Sequence, residues 1–300
     1  MNKVLVTGGA GFIGSNLVDE LLVRYPGIEI IVVDNKSAKT NSKFYWNKKC
    51  YNYTFDICDY DKIRQLFREV DVVFHLAAEA RIQPAIQNPL LATKTNVLGT
   101  TTILQCAREA GVKRVIYSST SSAYGMNSFP QQEIQAEDSL NPYSVSKVAG
   151  EKMCKMYSRL FGLETVIFRY FNVYGDRQPL NGQYAPVIGI FQRQKSEGRP
   201  LTIVGDGLQR RDFTHVNDIV DANIRAAITE NKVSGELVNL GTGINHSILE
   251  IAEMIGGETI HIPPRTGESR ITLAHVSKAR ELLGWSAKIR LEDWVKLGVD

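Results

Sequence analysis

The sequence predicts an α/β fold, a doubly wound parallel sheet with a smaller C-terminal α/β unit laid over the sheet's ligand edge. Three observations carry this. Short apolar runs and helix-period segments alternate from Lys3 to Arg169. The apolar runs are continuous rather than alternating with polar residues, so both faces of the strands must be covered, as in a parallel sheet between helix layers. After Gly175 the rhythm breaks, with Pro179, Pro186, Pro200 and several glycines marking a looser region. The expected division is residues 1–174 with about 214–244 for the sheet, and 175–213 with 245–300 for the smaller unit.

The elements follow in order. Lys3–Thr7 (KVLVT) is short and β-branched, and reads as a buried strand. Glycines follow, then a helix with Leu17, Val18, Leu21 and Leu22 on one face. Glu29–Asp34 is a second buried strand and Tyr53–Asp56 a weaker third. Asp59 can cap a helix bearing Ile63, Leu66 and Phe67. Asp71–His75 is the fourth strand. A single helix is expected over Leu91–Ala110, ended by Gly111. Arg114–Ser119 is the fifth strand, and a helix containing Tyr143 leads to a strand at Glu164–Arg169.

Composition narrows the function classes. With 43% hydrophobic and 22% charged residues the chain is an ordinary globular one, and a net charge of +3 is too small to imply a nucleic-acid partner. Cys50, Cys58, Cys106 and Cys154 are scattered without a C-x-x-C pair, so no metal site is suggested and reduced thiols in a cytoplasm fit best. No leader precedes the first strand pattern, and no apolar stretch is long enough for a membrane.

V-T-G-G-A-G-F-I-G-S joins the first strand to the first helix. Gly8-x-x-Gly11-x-x-Gly14 permits a tight turn, close backbone approach to a pyrophosphate, and tight helix–strand packing. The helix N-terminus offers free N–H groups to phosphates. An acid about 20 residues on completes the dinucleotide fingerprint, and Asp34 stands there. A carboxylate at that point accepts ribose hydroxyls and repels a 2′-phosphate, which favours NAD over NADP. Asp56 and Ile57 after the third strand can hold an adenine's amino group and face, although Asp56 alone reads equally as a loop acid.

Tyr143 and Lys147 in Y-S-V-S-K lie one helical turn apart. Such a pair arises often by chance. Upstream, V-I-Y-S-S-T-S-S-A-Y-G places hydroxyls where a parallel strand meets its ligand edge. A cation beside a phenol favours the phenolate, which makes a base usable near neutral pH.

Together with the strand-four H-L-A-A, T-N-V-L-G-T, R-Y-F-N-V-Y-G and G-D-G-L-Q-R-R-D-F, these motifs resemble the extended short-chain dehydrogenase/reductase family, the NAD-dependent sugar epimerases and dehydratases, over nearly the whole chain. The resemblance implies a Rossmann-type sheet, with Tyr143 as base, Lys147 as cofactor anchor and pKa tuner, and Thr120 as the hydroxyl partner. It implies further cofactor contacts from Phe12, Ile13, Asn35, Leu76, Ala77, Ala78, Asn96, Ser118 and Tyr170. Asn172, Arg211 and Arg265 match diphosphate contacts, and Glu268 matches the acid on the nucleotide ribose. Arg81 departs from the small or lysine residues expected near it and could reach the sugar. Arg169, Asp212 and His215 read as structural. Relatives are homodimers through a bundle of the Leu91–Ala110 and Tyr143 helices. The chain ends early for this family, which would shorten the last helix.

Family dehydratases carry Asp-Glu directly after the threonine matching Thr120, and decarboxylases keep a Glu two residues after it. Here Ser121 and Ser122 stand there, and a hydroxyl cannot replace a carboxylate as acid or base near neutral pH. What remains is 4-epimerisation of a UDP-hexose. Thr272, four residues past Glu268, is small where a large aromatic would exclude a 2-N-acetyl group, and Arg177–Ile188 resembles the loop of epimerases preferring N-acetylhexosamines. The expected substrates are UDP-GlcNAc/UDP-GalNAc, with UDP-glucose/UDP-galactose as a second pair. Another nucleotide-sugar reaction on a uronate or 4-keto sugar, or a non-catalytic NAD-binding regulator, are the alternatives.

Overall fold

The structure, a computed structural model, describes residues 1–38, 43–180 and 185–296. The first half runs β1 (Lys3–Thr7), α1 (Phe12–Arg24), β2 (Glu29–Val33), β3 (Tyr51–Tyr53), α2 (Tyr60–Ile63), β4 (Val72–His75), α3 (Ile82–Gln87), α4 (Pro89–Thr93), α5 (Thr100–Glu109), β5 (Arg114–Thr120), α6 (Pro142–Phe161) and β6 (Glu164–Tyr170). Then come β7 (Val173–Tyr174), α7 (Val187–Ser196), β8 (Leu201–Val204), β9 (Arg210–Asp212), β10 (Thr214–His215), α8 (Val216–Ile228), β11 (Glu236–Leu240), β12 (Asn245–Ser247), α9 (Ile248–Ile255), β13 (Thr259–Ile262), α10 (Ser277–Leu283) and α11 (Leu291–Lys296).

Seven strands form one parallel sheet in the order β11-β6-β5-β4-β1-β2-β3. The order reverses at β1, where β4 pairs on one side and β2 on the other, so the ends of β1 and β4 open a crevice for a ligand. Continuous apolar strands build a core on each face. Val4, Val6 and Phe74 pack with Leu17 and Val18 of α1 and Ile219 and Val220 of α8. Leu5, Val73 and Val115 pack on the other face with Ile103 and Leu104 of α5 and Cys154 and Tyr157 of α6. A separate core joins Ile188 and Phe191 of α7, Leu201 and Ile203 of β8 and Ile251 and Ile255 of α9. The sequence reading gave this region no strands, because β8, β9, β12 and β13 are three or four residues long and pair only with one another.

Two sequence expectations are corrected. The third strand lies earlier, at Tyr51–Tyr53, because Asp56 is spent on a turn, its Oδ1 accepting the Cys58 N–H at 2.9 Å. The single helix over Leu91–Ala110 is instead α4 and α5 joined by a π turn, Lys94–Gly99. Gly99 is pressed there against Ile57, whose Cδ1 would stand 2.5 Å from an added Cβ.

Candidate active site

The glycine loop is shaped by contacts that no side chain would fit. Gly8 has φ +68, and a Cβ on Gly14 would meet the Gly8 carbonyl oxygen at 2.3 Å and the Gly9 Cα at 2.7 Å. Gly11 supplies no cap to α1, and no acid occupies its first turn, so the Phe12 and Ile13 amides face an anion's position. Asp34 follows β2 directly and turns back on this loop. Its Oδ2 accepts the Ala10 N–H at 3.2 Å and its Oδ1 the Lys36 N–H at 2.8 Å. Burial pushes its carboxyl up, against the pull of those two amides and the Lys36 charge. Asn35 begins the segment that runs from Asp34, its Oδ1 accepting the Ser37 N–H. Tyr45 closes over the loop with its N–H on the Ala10 carbonyl. A cradle that a Cβ would fill, open helix amides and a carboxylate at the strand end fit a dinucleotide.

The floor is fixed by a neutral histidine that the sequence reading did not single out. His75 Nδ1 bonds Thr7 Oγ1 at 2.7 Å and its Nε2 bonds Thr100 Oγ1 at 3.0 Å. Burial, then the nearby Lys147, pushes its pKa down to about 3. Thr7 Oγ1 also accepts the Ala77 N–H, which sets the Leu76–Ala78 backbone beside Gly8.

Tyr143 and Lys147 come from the first two turns of α6. Pro142 opens that helix, the Asn141 side chain caps it through the Ser144 N–H at 2.9 Å, and Gly162 ends it in the left-handed region. Tyr143 is half-buried and hydrogen-bonded to Thr120. Thr120 Oγ1 accepts the Ser122 N–H at 3.1 Å, so its proton is free to point at the phenol. Burial raises the Tyr143 pKa, opposed by the Thr120 bond and the charge of Arg81. Lys147 is 2% exposed, and its ammonium sits 4.2 Å from the centroid of the Tyr117 ring. Burial pushes its pKa down to about 7.

Around this pair, Ser118 Oγ lies 2.9 Å from the Tyr170 hydroxyl, which also meets Asn223. Ser118 and Tyr170 thus form one buried network at the end of β5, two residues before Thr120. Ser121 is buried and Ser122 half-buried behind Thr120. Ser119 donates to Glu151 at 2.5 Å, and Glu151 takes Arg169 bidentately at 2.9 and 2.7 Å. That buried ion pair ties α6 to β5 and β6. Asn96, expected beside the cofactor, has its amide engaged elsewhere: Oδ1 accepts from Glu79 N–H, and Nδ2 donates to the Glu79 carbonyl and Ser146 Oγ.

Apart from Asn172, the residues expected at the nucleotide lie after β8 and around the Arg265–Glu268 loop. Arg211 lies 3.6 Å from Glu268, and burial lowers its pKa. Asn141, the cap of α6, also donates to the Gly267 carbonyl at 2.8 Å, and Gln83 of α3 donates to the Thr266 carbonyl at 3.0 Å. The Arg265–Glu268 loop is thereby docked against the start of the Tyr143 helix. Thr272 is 5% exposed, and its hydroxyl is taken by Asn172 Nδ2 at 3.2 Å and the Asp212 N–H at 3.3 Å. These bonds hold Thr272 beside Asn172, another residue expected at the substrate. Asp212 accepts from Thr242, Gly243 and Ala274. Of the Arg177–Ile188 stretch, 181–184 lie outside the described residues. Arg177 ties that loop to α1 through Asp19 at 2.5 Å. His215 packs against Tyr174 and Trp294, away from the Tyr143 site.

Comparison with known proteins agrees with this geometry. A Mycolicibacterium smegmatis protein named UDP-glucose 4-epimerase is 34% identical over 310 residues, covering 99% of this chain and 97% of its own. The crystal structure of UDP-glucose 4-epimerase with UDP-glucose from Thermotoga maritima superposes with a TM-score of 0.91 at 36% identity, covering 98% of this chain and 96% of that one. UDP-N-acetylglucosamine 4-epimerase from Methanobrevibacter ruminantium, in complex with UDP-N-acetylmuramic acid, superposes with a TM-score of 0.91 at 29% identity, covering 98% and 96%. The family profile described as NAD dependent epimerase/dehydratase matches residues 4–241, and the chain belongs to that family.

Proposed function

We propose that the protein is an NAD-dependent isomerase that inverts C4 of a UDP-hexose, with UDP-GlcNAc/UDP-GalNAc and UDP-glucose/UDP-galactose as substrates. The observation that carries this is the Thr120–Tyr143 hydrogen bond at the crevice edge, with Ser121 and Ser122 where carboxylates would be needed for elimination or decarboxylation. Gly8, Gly11, Gly14 and Asp34 would hold NAD, which supplies an acceptor and donor for one hydride. Tyr143 takes the 4-hydroxyl proton, and the Thr120 hydroxyl donates to the developing phenolate. Loss of that proton and of the C4 hydrogen as hydride leaves a 4-keto sugar. Asn172, Arg211 and Arg265 hold the diphosphate, and Glu268 holds the nucleotide ribose, while the hexose turns its other face to the cofactor. Tyr143 would then give the proton back to the C4 oxygen, with bound NAD supplying the hydride at C4. Ser121 and Ser122 offer no base to draw a C5 proton, so the ketone is not diverted.

Two coarser features belong to this reading. Leu90, Leu91 and Leu98 around the π turn, and Val145 and Leu160 on α6, are exposed on helices that pack together, which suits a homodimer formed by pairing these helices. Free cysteines suit a cytoplasmic location, and among the described residues no helix is long and apolar enough to cross a membrane.

The deciding experiment is proton NMR of the purified protein with UDP-glucose, UDP-GlcNAc and UDP-glucuronate separately. Appearance of the C4-inverted sugar, with no net change in nicotinamide absorbance, is the expected result. Net NADH accumulation, or no conversion of any of the three, would overturn the reading.

A further inference from the structure

Three parts of the chain meet beside the glycine loop, and one arginine joins them. Tyr45 donates its N–H to the Ala10 carbonyl at 2.9 Å, and Asp34 accepts the Ala10 N–H, so both sides of that residue are held. Trp46 packs on the apolar core beneath. Asn47 donates from Nδ2 to Asp19 Oδ1 on α1 at 2.7 Å. The third part arrives from beyond β7. Arg177 sets its guanidinium carbon 4.9 Å from the centroid of the Tyr45 ring, and its Nη2 donates to Asp19 Oδ2 at 2.5 Å.

Asp19 is thus a knot, one oxygen holding Asn47 and the other Arg177. A half-exposed ion pair alone contributes little. Here the same guanidinium also covers an aromatic face, and the same carboxylate also takes an amide, so each contact orients the next. The backbone is shaped for this. Gly175 has φ +130, and Arg177 has φ +67, a conformation that residues with side chains seldom adopt. The turn is docked as well by Asn16 of α1, which donates to the Asp176 carbonyl at 3.0 Å.

We propose that residues 45–47 form a strap that retains NAD in the glycine loop, and that Arg177 clasps this strap shut through Tyr45 and Asp19. This rests on the glycine loop holding NAD. The proposed reaction regenerates its cofactor in every turnover, so release between turnovers would leave the enzyme idle. A strap on the loop beside Asp34 slows departure from the adenosine end and leaves the Tyr143 end untouched. Because the clasp comes from the chain after β7, opening requires that loop and the strap to part.

The test follows exchange of bound NAD for radiolabelled NAD in the loaded wild type, Arg177→Ala and Tyr45→Ala, with melting temperature measured alongside. Release is expected to be about tenfold faster in each variant, with association little changed. The double variant should release NAD no faster than the faster single one, since both changes open one clasp. Asp19→Asn keeps an oxygen for Asn47 and loses the charge that holds Arg177, so it should also speed release, and it substitutes if another variant fails to fold. Lower melting with unchanged release would make the cluster a structural tie and overturn the proposal. Release rates that multiply in the double variant would show that Arg177 and Tyr45 act separately, and would overturn the clasp. Failure of the wild type to take up NAD would instead overturn the glycine loop as the cofactor site.

Discussion

Tyr143, Thr120 and Lys147 were legible because each motif sits on an element whose period the sequence displays, and strand-end hydroxyls beside a helix start have few other uses. Their electrostatics were not legible. Burial outweighs the favourable charge at Tyr143, and the cation that opposes it comes from a loop far away in sequence. Asn96 and Thr272 show the same limit. Their motif positions place them near the ligands, but only the fold reveals that their polar atoms are already committed to Glu79 and Ser146, or to Asn172 and Asp212. Tyr143→Phe keeps the ring and loses the proton acceptor, so folding and NAD retention should persist while kcat falls by about 10²–10⁴-fold. Circular dichroism, bound-cofactor absorbance and the epimerisation rate measured together check this, and near-normal turnover would contradict it.

Among the elements, α6 does the most with the least sequence. Asn141 caps its first turn and holds the Gly267 carbonyl, so one side-chain amide ties the Tyr143 helix to the Arg265–Glu268 loop. The N-P-Y start announced the helix, but nothing local announced the second bond, because its partner is 126 residues away. The π turn was equally hidden: Gly99 at its end packs against Ile57, a contact from another part of the chain. The glycine loop was legible because its constraint is local. Gly14→Ala would drive a Cβ into the Gly8 carbonyl, which is backbone and cannot rotate away. Overpacking of this kind costs about 1–3 kcal/mol, against a helix-propensity gain of at most about 1 kcal/mol. The variant should melt lower and bind NAD at least about tenfold more weakly, as read by calorimetric titration. Unchanged affinity would mean the loop does not carry the pyrophosphate.

For the molecule as a whole, the parallel sheet was readable from its apolar runs, and the smaller unit was not, because strands of three or four residues leave no period to detect. Its packing against α6 and α1 is carried by single polar contacts such as Asn141–Gly267 and Asn16–Asp176. The outer face of the π turn and α6 carries Leu98 at 51% and Val145 at 55% exposure. If two copies pair there, Leu98→Glu with Val145→Glu should bury two charges from each copy in the contact and shift the protein to monomer in sedimentation velocity. A wild type that already sediments as a monomer would remove the homodimer from the proposal.

The sheet's own connectivity bears on how the chain is made. β6 ends at Tyr170, yet its partner β11 begins only at Glu236. Ribosomes add roughly 5–20 residues per second, so the outer edge of β6 waits for seconds after it emerges. Six of its seven residues are buried in the finished protein, and an unpaired apolar edge is a template for joining other chains. The nucleotide-binding half therefore cannot close while it is being synthesised. It is completed only after β7 to β10 and α8 have followed it.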